Sequence, residues 1–303
     1  MRFIIAALSA AFLAGTAEAR ELALSFDDAP RRGSALMQGP ERAERLLAGL
    51  EQAGVGQAVF FANSERVDEE GRARLRAYAA AGHLIANHSA THPHLREMTA
   101  EAFLADVVAA DRVLRPLPGF RPWFRFPFLD EGDTAEKRDA VRAGLTAIGY
   151  AQGYVTIDTY DWYLDHLANQ AAARGETLNL EALGALYAEA IAASADFYDD
   201  VAVAHLGRSP RHVLLLHEND MAAMFIPQLV AALQADGWRI VSADAAYSDP
   251  IARTEPQTLF LGQGRVAALA ADAGAPRRSL FGPFEEEAEL DALFAARVLN
   301  RPR

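Results

Sequence analysis

Two imidazoles four residues apart, His88 and His92, lie downstream of an adjacent carboxylate pair, Asp27-Asp28. Two histidines and one carboxylate suit one divalent ion and leave a coordination position open for water or substrate. That opening separates a catalytic zinc site from a closed structural one. The chemistry indicated is metal-assisted hydrolysis. Zinc suits this ligand set, and cobalt, nickel or iron could also occupy it.

Other residues invite the same scrutiny, and each also has an ordinary reading. Adjacent aspartates after a strand cap helices or make Asx turns, and a His-x-x-x-His spacing is not rare by chance. Arg125, within Phe124-Arg125-Phe126-Pro127-Phe128, is an arginine in an apolar strand end, which calls for a carboxylate partner such as Asp27. His217 follows Val213-Leu214-Leu215-Leu216, so a titratable ring stands where a buried strand reaches the rim of the fold. His83, His94, His166, His205 and His212 lack such context and receive no role, and Asn63 reads as a turn former. Asn87-His88-Ser89 is formally a glycosylation sequon but reads as part of the metal motif.

The elements that must position these residues show a repeating pattern. A helical stretch ends near a glycine and a short apolar run follows, at Gly54-Val55-Gly56, Gly82, Gly149 and Gly237. Strands are predicted at residues 21–26, 57–61, 83–86, 123–126, 151–157, 213–216 and 238–242. Helices are predicted near 41–51, 71–80, 100–114, 135–147 and 226–235. The alternation implies a parallel α/β sheet, closed or nearly closed into a barrel, with every candidate residue just past a strand's carboxyl end. Residues 163–211 are too long for an ordinary connection and read as an inserted cap, helical around 180–193. The chain thus divides into a barrel over 20–250 and a C-terminal extension over 251–303. Residues 253–278 of the extension read as loop, followed by an acidic helix near 285–298.

Composition narrows the function classes. Met1-Arg2, an apolar run to Ala14 and Ala17-Glu18-Ala19 read as a signal peptide over residues 1–19, which predicts a soluble protein exported to the periplasm or beyond. No later stretch reaches the roughly 20 apolar residues of a membrane span. With no cysteine in 303 residues, disulfides and thiolate ligands are excluded, and the 51% apolar content must supply an ordinary core. The net charge of -12 disfavours nucleic acid as a partner.

Taken together, the motifs resemble those of the polysaccharide deacetylases that share the NodB homology domain, carbohydrate esterase family 4. The likeness is carried by Ser25-Phe26-Asp27-Asp28-Ala29-Pro30, His88-Ser89-Ala90-Thr91-His92, Arg125-Phe126-Pro127-Phe128, Asp158-Thr159-Tyr160-Asp161-Trp162 and Leu214-Leu215-Leu216-His217. It covers roughly residues 21–244 apart from the insertion. The resemblance implies a distorted (β/α)7 barrel, here with a helical insertion between the fifth and sixth strands. It also implies hydrolysis of an N-acetyl, or O-acetyl, group from an acetylated carbohydrate. It makes Asp28, His88 and His92 the metal ligands, Asp27 the general base and His217 the general acid. Arg125 would orient Asp27, and Asp161 would orient His217. The amide of Phe128 would serve as an oxyanion donor, with Trp162 beside the substrate. Ala29 stands where glycine is usual, and Phe128-Leu129 where an aromatic-glycine pair is common. A cap over the mouth would exclude long polymers, which leaves a small non-sugar amide or imide as a second substrate class. A non-catalytic carbohydrate-binding protein is a third reading, against which the intact metal and acid–base sets speak.

Overall fold

Seven strands form where apolar side chains alternate between two layers, as a period of two requires. The computed structural model describes residues 20–260 and 262–301, so the signal peptide predicted over 1–19 lies outside the described residues. The strands are β1 (Arg20–Ala29), β2 (Val59–Ala62), β3 (Leu84–Asn87), β4 (Phe120–Phe124), β5 (Ala151–Gln152), β6 (Arg211–His217) and β7 (Trp238–Ile240). All pair in parallel in the order β5-β4-β3-β2-β1-β6, with β7 also on β1. Because β6 takes one edge of β1 from Glu21 to Asp27, β7 and β2 share the other, β7 at Arg20 to Leu22 and β2 from Ser25.

Helices α1 (Gly39–Gln52), α2 (Glu69–Ala80), α3 (Ala100–Leu114) and α4 (Ala135–Ala147) connect the first five strands. Asp68, Thr99 and Thr134 cap the last three by accepting amide hydrogens of their first turns. Gly82 and Gly237, each just beyond a helix, have φ of 93° and 86°, the left-handed turn that glycine adopts without strain. Between the fifth and sixth strands stand α5 (Asp161–Ala173) and α6 (Leu180–Leu206), and α7 (Asp220–Ala235) and α8 (Ala243–Tyr247) follow β6 and β7. Phe60 and Ile85 join the main core, while Val59, Phe61, Leu84 and Ala86 on the opposite face enclose Ala243 and Tyr247 of α8. That helix therefore covers the face of the sheet opposite the main core.

The sheet is an unclosed form of the predicted barrel, and three local readings change. The run 151–157 is not one strand: β5 stops at Gln152, and its continuation crosses to the other edge, where Ile157 bridges Leu214. Thr156 and Leu215 donate across this seam to Val213 and Ile157 at 3.0 Å each. Second, the 163–211 stretch is not a uniform cap. Only α5 reaches the mouth, while Leu183, Leu186, Tyr187 and Ile191 of α6 are buried in the main core. Third, residues 253–278 are not simply loop. They contain α9 (Arg265–Asp272), whose Val266 to Ala270 are buried, and the acidic helix α10 (Glu287–Arg297) follows. The amide of Arg265 donates to Val155 at 2.7 Å, so the C-terminal segment covers the seam between β5 and β6. No helix among the described residues is long and apolar enough to cross a membrane.

Candidate active site

Asp27 and Asp28 lie within β1 rather than beyond it, and Asp27 stands in register with His217 of β6. Consecutive strand residues normally face opposite sides. The β1–β2 register breaks between Phe26 and Ala29, and Asp28 has φ of 69°, so both carboxylates line the same cavity. The histidine pair converges by a different device from a helical turn. Ser89 (φ 72°) and His92 (φ 58°) are both left-handed. The turn is tied by Asn87 Oδ1 accepting from the Ser89 amide at 2.8 Å and Ser89 Oγ accepting from the His92 amide at 2.9 Å. Asn87 is fully buried, which removes the sequon as a glycosylation site. Asn63 does more than turn the chain, since its Nδ2 donates to the His88 carbonyl at 2.7 Å.

The three proposed ligands meet. Ligand atoms of Asp28, His88 and His92 lie within 4.8 Å of one another. His88 Nδ1 is 2.9 Å from the Arg125 carbonyl, which fixes the hydrogen there and leaves Nε2 as a lone pair facing His92 Nε2 at 3.2 Å. Two nitrogens bound at about 2.0 Å to a tetrahedral ion would be about 3.3 Å apart. Asp28 Oδ1 is buried without a hydrogen bond, 3.4 Å from His92 Nε2 and 3.3 Å from Arg66 Nη1. A cation at this point would complete it, so the donors fit a divalent metal. Burial pushes both imidazoles down to about 4 and keeps them neutral, as ligands must be. Burial opposes the charge on Asp28, yet His92, His217 and Arg66 hold its carboxyl below the ordinary carboxylate range.

Arg125 sits just past β4 and is fully buried. Its Nη1 donates to Asp27 Oδ1 at 2.6 Å and Ser25 Oγ at 2.9 Å. Nε donates to the Gly153 carbonyl at 2.7 Å, and Nη2 to the Tyr154 carbonyl at 3.2 Å and Tyr247 Oη at 2.8 Å. Every donor of the guanidinium is used, and its plane lies over the Phe61 ring at 3.9 Å. Burial raises the Asp27 carboxyl, with Arg125 pulling the other way, and the free oxygen Oδ2 lies 3.6 Å from His88 Nε2. Opposite, Asp161 Oδ1 accepts His217 Nδ1–H at 2.7 Å, and Oδ2 accepts the His217 amide at 2.9 Å and Asn219 Nδ2 at 2.8 Å. Burial works against the imidazolium, but Asp161, with Asp28 and Asp27, outweighs it and His217 rises to about 9.

The cavity that holds these groups has a volume of about 620 Å³. Arg31 and Ser34 form one wall, His94 and Phe128 another, and Tyr160, Trp162, Asp165, His166 and Asn169 around α5 a third, while Gly262 adds the C-terminal segment. Phe128 (φ 57°) is half-exposed, stacked on His94 at 3.7 Å between centroids, and Trp162 is partly exposed at the rim. All nine residues singled out for the site therefore assemble. The sequence reading missed His94 and His166, which line the cavity, and Ser25, Tyr247, Asn219 and Arg66, which brace its charged groups. Ser25 belongs to the first motif but had no role assigned, and the others carried no local signal beyond their polarity.

The family model for polysaccharide deacetylase matches residues 14–148. A peptidoglycan-N-acetylglucosamine deacetylase of Bacillus cereus is 26% identical over 142 residues, which cover 47% of this chain and 46% of that protein, so the match spans about half its length. Among solved structures, a family 4 carbohydrate esterase from Streptomyces lividans, in complex with acetate, aligns with a TM-score of 0.52 at 19% identity. The alignment covers 76% of this chain and 96% of that one. A family 4 pseudoenzyme from Bacillus anthracis aligns with a TM-score of 0.51 at 16% identity, over 75% of this chain and 65% of its own. At such identities the two structures speak for the fold, and the second shows that the fold alone does not decide turnover. Over residues 14–148 the chain is similar to the polysaccharide deacetylases, and it shares the fold of the family 4 carbohydrate esterases.

Proposed function

We propose that this chain is a metal-dependent hydrolase that removes acetyl groups from an acetylated carbohydrate, with the N-acetyl group of an amino sugar as the first candidate. The observation that carries the reading is one cavity holding the Asp28-His88-His92 set together with Asp27 and His217, a carboxyl and an imidazole whose pKa values are both raised. The Bacillus cereus relative, a peptidoglycan deacetylase by name, supports the substrate class. The leader-like N-terminal sequence favours action outside the cytoplasm.

Asp28, His88 and His92 would hold a divalent ion, zinc first, which when bound would supply Lewis acidity toward the acetyl carbonyl and acidify water. Asp27 is the base. Its Oδ1 is occupied by Arg125, which leaves Oδ2, on the His88 side, to take the proton of the attacking water. Arg125 has no free donor with which to swing away and so fixes Asp27 in one orientation. His217 is the acid, protonated below about pH 9. Asp161 occupies Nδ1–H, so the Nε2 proton is the one delivered to the leaving nitrogen. The Phe128 amide is the protein's oxyanion donor, and the Trp162 ring offers a face on which a sugar packs.

The test is acetate release from N-acetylglucosamine oligomers, peptidoglycan fragments and acetylated xylan, using protein stripped of metal and then restored. Release that returns with the ion supports the reading. Hydrolysis of a cyclic amide and of no glycan would favour a small-amide enzyme instead, a reading that the walls of α5 and the C-terminal segment around the cavity keep in play. Bound metal with no turnover on either class would leave a non-catalytic binding protein.

A further inference from the structure

A further carboxylate lines the cavity outside the roles given above. Asp158 follows Ile157, the residue that bridges β6, and shares the wall formed by Leu215 and His217. Its Oδ1 accepts the Thr159 amide at 2.9 Å, and Thr159 Oγ1 donates to the Leu215 carbonyl at 2.7 Å. No hydrogen bond to Oδ2 is found among the described residues, so that oxygen is available to a ligand.

A neighbour from the C-terminal segment decides the charge on Asp158. Glu285, Tyr198 and Gln263 form a ring of three contacts, which the Gly282 amide approaches from outside. Tyr198 Oη lies 2.7 Å from Gln263 Oε1 and 2.5 Å from Glu285 Oε1, and Gln263 Nε2 lies 3.0 Å from Glu285 Oε2. Three contacts need three hydrogens. Tyr198 has one, and the Gln263 amide turns one end to each partner, so it supplies one whichever way round it is placed. The third must sit on Glu285, which is therefore a neutral acid. Burial pushes both carboxyls up and Glu285 raises Asp158 further, so the pair favours holding one proton between them. The ring keeps that proton on Glu285, and Asp158 remains the carboxylate, facing the His217 imidazolium without a second negative charge behind it.

We infer that Asp158 accepts the N–H of the scissile amide and thereby selects N-acetyl over O-acetyl substrates, with Glu285 as the positioning residue behind it. The inference rests on reading the cavity as that of an acetyl hydrolase. His217 must reach the leaving atom to protonate it, so an acceptor on the same wall meets the leaving group rather than the acetyl methyl. An amide presents a hydrogen there. An ester presents lone pairs, which a carboxylate repels.

The experiment compares kcat/KM on an N-acetylated and an O-acetylated oligosaccharide of equal length for the wild type, Asp158→Asn and Asp158→Ala. Asparagine keeps its Oδ1 on the Thr159 amide and turns its NH2 into the cavity, against the amide hydrogen and toward an ester oxygen. The amide rate should fall by about tenfold or more, as loss of a hydrogen bond to a charged acceptor implies, while the ester rate holds or rises. Alanine should lower the amide rate alone, and it serves as the deciding variant if asparagine melts early. A parallel fall on both substrates, or an unchanged ratio with a displaced alkaline limb, overturns the inference, because Asp158 would then act through His217 or through the fold. If the wild type releases acetate from neither substrate, the proposed function fails instead, whatever the variants do.

Discussion

Asp161→Asn tests the assignment of His217 as the acid. The carboxylate holds the histidine at three points: Nδ1–H at 2.7 Å, the backbone amide at 2.9 Å and, through Asn219, the neighbouring chain at 2.8 Å. Burial lowers the imidazole, and Asp161, then Asp28 and Asp27, more than reverse this, to about 9 against an ordinary 6.5. That interval corresponds to roughly 3 kcal/mol of preference for the imidazolium. The folded value lies above the unfolded one, so this stabilisation is complete below pH 6.5 and disappears as the pH rises through about 9. In the Asp161→Asn variant the main partner that opposes burial is gone, and a return toward the ordinary 6.5 sets the size of the effect. The alkaline limb of kcat/KM for acetate release, read with metal held constant, should therefore move down by more than two pH units. At pH 8 only about 3% of a histidine with pKa 6.5 is protonated, so activity there should fall about thirtyfold. The introduced carboxamide must also turn its NH2 toward either the imidazole N–H or the two donors that Oδ2 now accepts, so the variant should melt earlier at every pH. The position of the limb, rather than the size of the rate, is then the readout. A limb that stays near pH 9 would refute the assignment of His217 as the acid.

Arg125→Met should cost about 3–5 kcal/mol in urea unfolding and bring acetate release to background, because it leaves Asp27 buried with no counter-charge; unchanged stability would show that Asp27 is neutral. His92→Ala should weaken zinc binding to the stripped protein, measured by calorimetry, by more than the 10- to 100-fold that outer partners cost. Unaltered affinity would move the metal elsewhere. Glu285→Gln keeps the ring's hydrogen count and should melt with the wild type at neutral pH, whereas Tyr198→Phe strands two buried partners and should lose about 1–3 kcal/mol. Early melting of Glu285→Gln would mean that the carboxyl is ionised.

The sequence was most legible where chemistry and periodicity coincide. Apolar runs of strand length end in Asp27, Arg125 and His217, and a parallel sheet collects such ends on one side. What it left open lies in backbone geometry. Nothing in the residue types announces that Asp28 turns left-handed so that adjacent aspartates face one cavity, and the histidine spacing suits a helical turn as well as the irregular one observed. Asn87, Ser89 and Pro93 were the available hints, being turn formers rather than helix formers. The run 151–157 reads as one strand because it is apolar. It breaks at Gly153, where a side chain would collide with Phe61 and where the carbonyl is taken by Arg125 Nε. Helix α9 was masked by the Gly, Pro and Gln residues that precede it, and its burial depends on α6, about 60 residues earlier in the chain. Tyr247 and Glu285 reach the site only through such long-range packing, which no local pattern encodes.

The strain in the site bears on whether this chain is an enzyme. Seven non-glycine residues among those described have positive φ, and five of them, Asp28, Ser89, His92, Phe128 and Leu129, belong to the loops that build the cavity. At roughly 1 kcal/mol or more apiece they oppose folding by an amount comparable with the net stability of many domains. Such conformations persist only where their surroundings over-determine them. Asn87 and Ser89 hold one turn from within, Asp106 accepts the Ala90 amide at 2.8 Å, and Asn63 pins the His88 carbonyl. A glycan-binding scaffold needs aromatic faces and hydroxyl partners, and Trp162 and Phe128 would supply the former from relaxed loops. It does not need two neutral imidazoles with facing nitrogens, an orphaned carboxylate oxygen beside them, and a carboxyl and an imidazole both raised in pKa across the same cavity. Those features have a use only where a cation is bound and protons move, so strain concentrated on them argues for turnover over retention of the fold alone.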